Sequence, residues 1–222
     1  VENNDNDNNE EPSDFIKEAY TRVLMCHINL AKLKFPKGTR GFAIDALARK
    51  ELWDVGLDFM HGTGHGIGHY NNVHEGPRGI GITYKDHFIS ANFTYNADDI
   101  KAGHPESIYL KPNAILSNEP GYYQENEFGI RVENAVRVTE KPIDNKNELK
   151  YFGKFAGKIR DFLGFEDIIF MPHCPRLIDE GLLRESDREY LNWYHGRCRE
   201  ILEPLLDGEV REWMLKNAKI DF

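Results

Sequence analysis

Hydrophobic residues recur with helical spacing in two stretches near the beginning of the chain. Ser13 has the side chain of a helix N-cap, and after it apolar residues return at three- and four-residue steps: Phe15, Ile16, Ala19, Tyr20, Val23, Leu24 and Ile28. A second run, from about 42 to 53, aligns four apolar residues on one helical face: Ile44, Leu47, Ala48 and Leu52. Both stretches predict amphipathic helices that bury one side.

Strand patterns occupy the middle of the chain. Residues 112–119 contain a short apolar run before a Glu-Pro-Gly turn, which predicts a buried strand with Glu119 at its end. Residues 129–138 alternate regularly, with apolar residues on one face: Ile130, Val132, Val136 and Val138. Charged residues occupy the other face: Arg131, Glu133 and Arg137. This alternation predicts one continuous strand with Glu133 in its middle.

Two further helices are predicted near the end of the chain. Ser186 and Glu189 have the spacing of a capping box, so a helix is expected to begin there and to continue to about Leu202. A shorter helix is predicted over about 210–215. The aromatic side chains of the longer helix, Trp193 and Tyr194, are equally compatible with core packing and with an interface between two copies.

Composition and charge exclude several classes of protein. The 222 residues are 40% hydrophobic, enough for a substantial core, and the net charge of −9 argues against a nucleic-acid-binding surface. No apolar run has the length of a membrane span, and no secretory signal pattern is present. Three scattered cysteines form neither a disulfide framework nor a zinc motif. We therefore expect a cytoplasmic protein with no membrane partner.

The densest candidate chemistry lies at 61–69, where His61, His65 and His69 alternate with glycines, and His74 follows. Glycine lets the backbone approach a neighbour closely, and neutral histidine is a metal ligand that titrates near neutral pH. The mixture predicts a functional site, with a solvated glycine-rich loop as the alternative. The intervening glycines oppose the helix of an HExxH zinc site, and no Gly-Lys-Ser/Thr phosphate loop follows.

Two glutamates extend this candidate site. The imidazole of His65 with the carboxylates of Glu119 and Glu133 is a donor set that suits Mn²⁺, Fe²⁺, Co²⁺ or Zn²⁺. Because an unpaired buried charge is costly, Glu133 is expected either to bind a cation or to pair with Arg131 or Arg137. Three ligands can hold one ion, whereas a two-metal hydrolytic site needs more.

Four segments occur in one order along the chain: His61-Gly-Thr-Gly-His65-Gly, Asn72-Val-His74-Glu-Gly-Pro77, Asn118-Glu119-Pro-Gly-Tyr-Tyr123 and Phe128-Gly-Ile-Arg131-Val-Glu133-Asn134. Together they closely resemble the Xaa-Pro aminopeptidases (aminopeptidase P) of the pita-bread metallopeptidases. Residues 191–198 also resemble the C-terminal extension of the cytosolic eukaryotic enzymes. The resemblance therefore runs from about Phe15 to the end of the chain.

The resemblance implies an α+β pita-bread fold, in which a curved antiparallel sheet is covered by helices. Residues 1–12 are acidic and asparagine-rich, and their composition predicts disorder. Residues 13–160 would form the C-terminal part of the catalytic domain, and residues 161–222 the C-terminal extension. The resemblance also implies a homodimer.

The same resemblance implies a dinuclear metal centre. His65, Glu119 and Glu133 would be ligands of two ions, usually Mn²⁺, with Zn²⁺ or Co²⁺ as alternatives. Glu133 would bridge the ions, and Glu119 would also handle the proton of the attacking water. The family's two aspartate ligands lie upstream, and neither Asp5 nor Asp7 has a strand context.

The implied activity is hydrolysis of the first peptide bond in peptides with proline second. His61 and His74 would position the substrate and move protons to the leaving nitrogen, while Arg131 and Tyr123 would orient the site. Proline's nitrogen is part of a tertiary amide without an N–H, so its expulsion requires a donated proton.

The missing aspartates imply that the chain is the C-terminal piece of a longer enzyme, cut within an insertion, with an associated upstream segment supplying them. One alternative is a catalytically silent pita-bread module that binds a peptide or protein. Another is a prolidase or methionine aminopeptidase of the same fold. The retained histidines and glutamates argue against the first, and the segment at 72–77 with the aromatic tail argues against the second.

Overall fold

The computed structural model describes residues 11–81, 109–141 and 161–222. These residues form two compact units, one drawn from 23–171 and the other from 11–22 together with 172–222. The disorder expected at the start of the chain therefore falls almost entirely outside the described residues. Within the described ranges, no helix has both the length and the apolar character needed to cross a bilayer.

Both N-terminal helices are confirmed. Helix α1 spans Asp14–Ala31, and the Ser13 hydroxyl accepts the Ile16 N–H at 3.3 Å, as the N-cap prediction requires. Helix α2 spans Phe42–Trp53 and buries three of its four predicted core residues. Leu47 is the exception because it is 47% exposed and lies at the edge of the apolar stripe.

A four-stranded antiparallel sheet forms the centre of the larger unit. Its strands are β1 (Lys34–Pro36), β4 (Ile115–Asn118), β7 (Asn134–Glu140) and β8 (Phe162–Asp167), in the order β1-β8-β7-β4. Residues from this sheet and from the helices form one apolar cluster that includes Leu30, Ala48, Leu116, Val136 and Leu163. The α+β class is confirmed. Strand β8 lies within this sheet although the predicted boundary at 160 assigned it to the C-terminal extension.

Two small antiparallel pairs also lie in the described part of this unit. Strand β2 (Gly64–His65) pairs with β3 (Gly79–Ile80), and β5 (Gly121–Gln124) pairs with β6 (Phe128–Arg131). The first pair contains the glycine–histidine segment. The predicted turn after Glu119 is wrong, because residues 119–120 continue from β4 to β5 in an unchanged register and the chain turns at 125–127 instead.

The predicted continuous strand at 129–138 is wrong, because it is divided into β6 and β7. The pair Asn118–Asn134 ends one ladder and the pair Gly121–Arg131 begins the next. Between them lie two residues on each strand, 119–120 and 132–133. The Val132 N–H donates to the Pro120 carbonyl at 3.2 Å, but proline has no N–H with which to return the bond. The ladder is therefore interrupted without a change of register.

The second unit contains α3 (Glu185–Leu202) and α4 (Gly208–Asn217), which confirms the two C-terminal helices. The predicted capping residues are wrong. The Asp187 carboxylate accepts the Arg184 backbone N–H at 3.2 Å and the Arg184 Nε–H at 2.6 Å, so the capping pair lies two residues before the predicted pair of Ser186 and Glu189. Tyr194 is buried in this unit, whereas Trp193 is 50% exposed.

Candidate metal centre

The glycines between the histidines are needed for close packing of the backbone. A Cβ atom on Gly64 would lie 2.0 Å from the Ser117 carbonyl oxygen, and one on Gly66 would lie 1.9 Å from the Glu75 carbonyl oxygen. Both distances are far shorter than any van der Waals contact, so only glycine fits. The segment is a packed part of the unit, which favours the functional interpretation over the solvated loop.

This packing brings His65 to Glu119. The His65 Nε2 atom lies 3.2 Å from Glu119 Oε1. The Ser117 hydroxyl lies between their backbones, donating to Glu119 Oε1 at 2.8 Å and accepting the His65 N–H at 2.9 Å. The Glu119 N–H in turn donates to the Thr63 carbonyl at 2.8 Å. Glu119 is only 8% exposed, so its carboxylate lies in a largely dry and well-defined position.

The protonation of His65 shows what the pair can bind. Its Nδ1 atom lies 2.9 Å from the Gly66 carbonyl, and a carbonyl oxygen only accepts, so Nδ1 carries the hydrogen. In the neutral imidazole the Nε2 atom then presents a lone pair towards the Glu119 carboxylate. Two acceptors at 3.2 Å require a cation between them, either a proton or a metal ion. The donor set fits a divalent metal.

Glu133 lies opposite Glu119 in the hairpin register. The pairs Asn118–Asn134 and Gly121–Arg131 enclose the interruption, so the unchanged register pairs 119 with 133. Since 120 and 132 form the hydrogen-bonded position, 119 and 133 form the non-hydrogen-bonded one, where facing side chains approach most closely. Like charges that face each other in this way repel unless a cation lies between them.

The described residues do not complete a metal site on their own. Among them, no group of three histidine, cysteine or acidic side chains is close enough to hold an ion. The structure thus joins His65 to Glu119, while Glu133 is exposed at the adjoining position. The predicted pairing of Glu133 with Arg137 is not the arrangement seen, because Arg137 pairs with Glu166 at 2.6 Å.

A second group of predicted residues surrounds the Glu119 carboxylate. The Tyr123 hydroxyl lies 2.8 Å from His61 Nε2 and accepts the Arg131 Nε–H at 2.9 Å. The Nδ1 atom of His61 lies 2.8 Å from the Gly62 carbonyl, so Nε2 is the acceptor for the tyrosine. Arg131 Nη1 reaches Glu119 Oε2 at 3.6 Å. A continuous polar path therefore runs from His61 to Glu119.

Charges along this path alter two pKa values. Burial lowers the pKa of His61, and the guanidinium groups of Arg131 and Arg49 lower it further, against the opposing effects of Gly62 and Glu119. Burial also acts to lower the pKa of Arg131, but the bond to Tyr123 and the nearby carboxylates, including Glu133, raise it overall. His61 is therefore neutral at pH 7, and Arg131 is charged.

His74 completes the group. Its ring centroid lies 4.1 Å from that of His65 with the planes at 55°, and its side chain is exposed. The structure thus places His74 beside His65, which contacts Glu119, while His61 is connected to Glu119 through Tyr123 and Arg131. His74 is the one of the three that faces solvent.

Sequence reasoning missed the residues that hold this group in place. Ser117 could have been found because it lies two residues before Glu119 in an apolar strand and so shares its face. The buried ion pair between Asp45 and Arg49 could have been found from its i, i+4 spacing within the apolar stripe of α2. Both signals are weak in the sequence alone, since most such residues are exposed.

Comparisons with known proteins show which family the chain resembles. Residues 6–140 match the model of metallopeptidase family M24, and residues 161–220 match that of the C-terminal region of peptidase M24. A probable Xaa-Pro aminopeptidase P from Arthroderma gypseum is 43% identical over 211 residues, covering 94% of this chain and 29% of the relative. Another from Sclerotinia sclerotiorum is 44% identical over 201 residues, covering 90% of this chain and 28% of the relative.

A solved structure gives the same result. The X-prolyl aminopeptidase from Caenorhabditis elegans, described as a cytosolic enzyme with a di-nuclear active site, matches 94% of this chain and 29% of its own with a TM-score of 0.73 and 33% identity. The pita-bread fold and the resemblance seen in the four sequence segments are both confirmed. This chain spans less than a third of the length of these relatives. It belongs to metallopeptidase family M24.

Proposed function

We propose that the protein is a metal-dependent aminopeptidase that hydrolyses the bond between an N-terminal residue and a following proline. One observation carries the proposal: His65 Nε2 and Glu119 Oε1 face each other at 3.2 Å while the His65 Nδ1 hydrogen is already used on a backbone carbonyl. The names of the relatives supply the substrate class.

His65, Glu119 and Glu133 would hold the metal. A bound pair of divalent ions would lower the pKa of a water molecule towards neutrality and polarise the scissile carbonyl. The di-nuclear site of the C. elegans relative supports two ions, and Mn²⁺ is the ion we propose, with Zn²⁺ or Co²⁺ as alternatives. The missing carboxylate ligands would come from an upstream segment of the same protein, outside the described residues.

The remaining residues would handle the substrate and its protons. Glu119 has a free acceptor position beside its bond from Ser117 and would take the proton released by the attacking water. His61 is neutral and fixed by Tyr123, so it suits positioning of the substrate more than proton donation. His74 is exposed beside His65 and would donate the proton that the departing proline nitrogen needs.

The test uses the complete native protein, with its metal removed by a chelator and then restored. We expect cleavage of a tripeptide with proline second, loss of cleavage after chelation, and recovery with Mn²⁺. A matched peptide with alanine second is expected to be a poor substrate. Cleavage of dipeptides alone would indicate a prolidase, and binding without cleavage of any peptide would indicate the silent module; either result contradicts the proposal.

Two further parts of the proposal rest on the resemblance. The metal content of the 222-residue chain alone is expected to be far below that of the complete protein, because the upstream ligands are then missing. Full occupancy by two ions in the isolated chain would contradict this. The homodimer and the cytosolic location, the latter described for the C. elegans enzyme, are proposed with the function.

A further inference from the structure

A completely buried arginine lies behind the glycine–histidine segment. Arg49 has no solvent exposure, and its guanidinium donates to four acceptors. Its Nε atom lies 2.6 Å from Asp45 Oδ2, Nη1 lies 2.8 Å from Asp58 Oδ1 and 2.6 Å from the Phe59 carbonyl, and Nη2 lies 2.6 Å from the His61 carbonyl. Such a fork connects helix α2 to three of the four residues at 58–61, just before His65.

The backbone contact and the ring contact act on the same residue. The Arg49 guanidinium lies 3.8 Å from the centroid of the Phe59 ring, and that ring lies 4.9 Å from the ring of His61. His61 is therefore held at its carbonyl by Arg49, along one ring face by Phe59, and at Nε2 by the Tyr123 hydroxyl. A side chain held from three directions has little freedom left.

Asp45 extends the arrangement to the metal side. Its Oδ1 atom accepts the Thr63 hydroxyl at 2.6 Å, while Oδ2 pairs with Arg49. The Thr63 carbonyl then accepts the Glu119 N–H at 2.8 Å. The Asp45–Arg49 pair thus connects one helix to the residues on both sides of Gly62.

We infer that Arg49 is a positioning residue, which holds His61 in the geometry that it needs towards the substrate. Asp45 and Asp58 neutralise the charge of the guanidinium, and its remaining N–H groups donate to the Phe59 and His61 carbonyls. The bonds that satisfy the buried guanidinium therefore also fix the backbone that carries the His61 side chain. The inference rests on the proposed function for its kinetic readout, and on geometry alone for its spectroscopic one.

The variants separate positioning from charge neutralisation. Arg49→Met alone leaves the Asp45 carboxylate buried without its partner and is expected to lower the Tm strongly. The double variant Asp45→Asn/Arg49→Met removes both fully buried charges and keeps an acceptor for Thr63. The Asp58 carboxylate also loses Arg49 but is 35% exposed, so most of the decrease in Tm is expected to be reversed. Arg49→Lys keeps a charge for Asp45 but lacks the planar fork. Asp54→Asn, which breaks the exposed pair with Lys50 at the end of the same helix, is the control.

The complete metal-loaded protein is used, with kcat and KM measured separately on a peptide with proline second. The double variant and Arg49→Lys are expected to lose about tenfold or more in kcat, with a smaller change in KM and unchanged metal content. Wild-type kcat in the double variant, or in Arg49→Lys, would show that the pair serves stability alone and would overturn the inference.

A measurement without substrate makes the result independent of the proposed activity. The imidazole C–H resonance of His61, assigned through His61→Gln, is expected to shift in both Arg49 variants and to remain in place in Asp54→Asn. An unshifted resonance would overturn the inference even in an active enzyme. An inactive wild type that shows the shift would instead contradict the proposed function and leave the positioning role supported.

Discussion

In the unit that contains the candidate site, His61 and His65 each direct Nδ1 to the carbonyl of the next residue and leave Nε2 facing another side chain. In the C-terminal unit, His195 uses both ring nitrogens on the backbone. Its Nε2 accepts the His173 N–H at 3.0 Å, and its Nδ1 donates to the Lys219 carbonyl at 2.6 Å. The same side chain serves chemistry in one unit and architecture in the other.

The histidines of the two units differ in whether a ring nitrogen remains available to a new partner. A histidine whose second nitrogen faces a side chain can exchange that neighbour for a proton, a metal ion or a substrate. One whose two nitrogens are bonded to the backbone cannot do so without breaking the fold. A buried histidine with both ring nitrogens bonded to the backbone therefore indicates a structural role. A partly buried histidine whose Nε2 faces a side chain indicates a functional one.

The largest expected effect breaks the functional side of this comparison. Glu119→Gln keeps the shape of the side chain and an acceptor for Ser117 but removes the charge that faces His65. Peptide hydrolysis is expected to fall by about 1,000-fold or more, because both metal binding and proton acceptance are lost. Steady-state rates and metal content measure this. Glu125→Gln, exposed in the same hairpin, is the control, and an active Glu119→Gln would contradict the assigned role.

The architectural side is tested by the pH dependence of stability. Burial lowers the pKa of His195 to about 4, so the unfolded chain binds its proton first as the pH falls. The contribution of neutral His195 to the free energy of unfolding is therefore fully present above about pH 6.5 and is lost between about pH 6.5 and pH 4. As the pH falls through this range, the free energy of unfolding is expected to decrease by roughly 3 kcal/mol less in His195→Gln than in the wild type.

Denaturant titrations at several pH values measure this difference. A residual slope is expected in the variant because burial also lowers the pKa of His27 to about 4. Trp193→Phe, at an exposed position of the same helix that carries no titratable group, is the control and is expected to leave the slope unchanged. An identical slope in wild type and His195→Gln would show that His195 titrates alike in the folded and unfolded states.

Tyr123→Phe sharpens the comparison by removing one contact of a functional histidine without changing its burial. The hydroxyl between His61 and Arg131 is lost, so kcat/KM is expected to fall about tenfold while the Tm changes little. Tyr122→Phe provides a matched control on the same strand, because the Tyr122 hydroxyl donates to Gln124 instead. Equal effects of the two substitutions would show that the Tyr123 hydroxyl has no special part.

Ser117→Ala has the smallest expected effect. It removes the donor to Glu119 Oε1 and the acceptor for the His65 N–H, so stability is expected to fall by about 1–2 kcal/mol. Metal affinity is expected to fall about tenfold, since residues that orient ligands typically have effects of that size. Calorimetric metal titration and thermal unfolding measure the two changes. Unchanged metal affinity would limit Ser117 to a purely structural role.

The helices and the ends of the buried strands could be predicted from the sequence because each depends on local spacing. The hydrophobic stripes of α1 and α2 and the short apolar run before Glu119 were sufficient, whereas the turn predicted after Glu119 lies at 125–127 instead. The division of residues 129–138 could not be predicted, because the alternation continues through it. The cause lies on the other strand, where Pro120 lacks the N–H that the ladder requires.

The candidate site was predictable in its members more than in its geometry. Resemblance identified the histidines at 61, 65 and 74 and the glutamate at 119, and the structure places them together. The positions of Ser117 and Arg49 depend on contacts between distant segments, which local patterns do not contain. The capping box of α3 was predicted at the wrong residues because it is formed by an arginine and an aspartate, not by the usual serine and glutamate.

The interruption at Pro120 has a consequence for local dynamics. Two carboxylates that face each other across a weakened ladder make this part of the hairpin frustrated without a cation, so brief openings cost little there. A bound cation would remove the repulsion. Because it would bind the closed hairpin and not the open one, it would also raise the free energy of opening. Amide hydrogen exchange at 119–124 and 128–134 would then report ligand occupancy directly, with the slowest exchange in the fully loaded protein. Amide exchange in the hairpin would therefore measure metal binding.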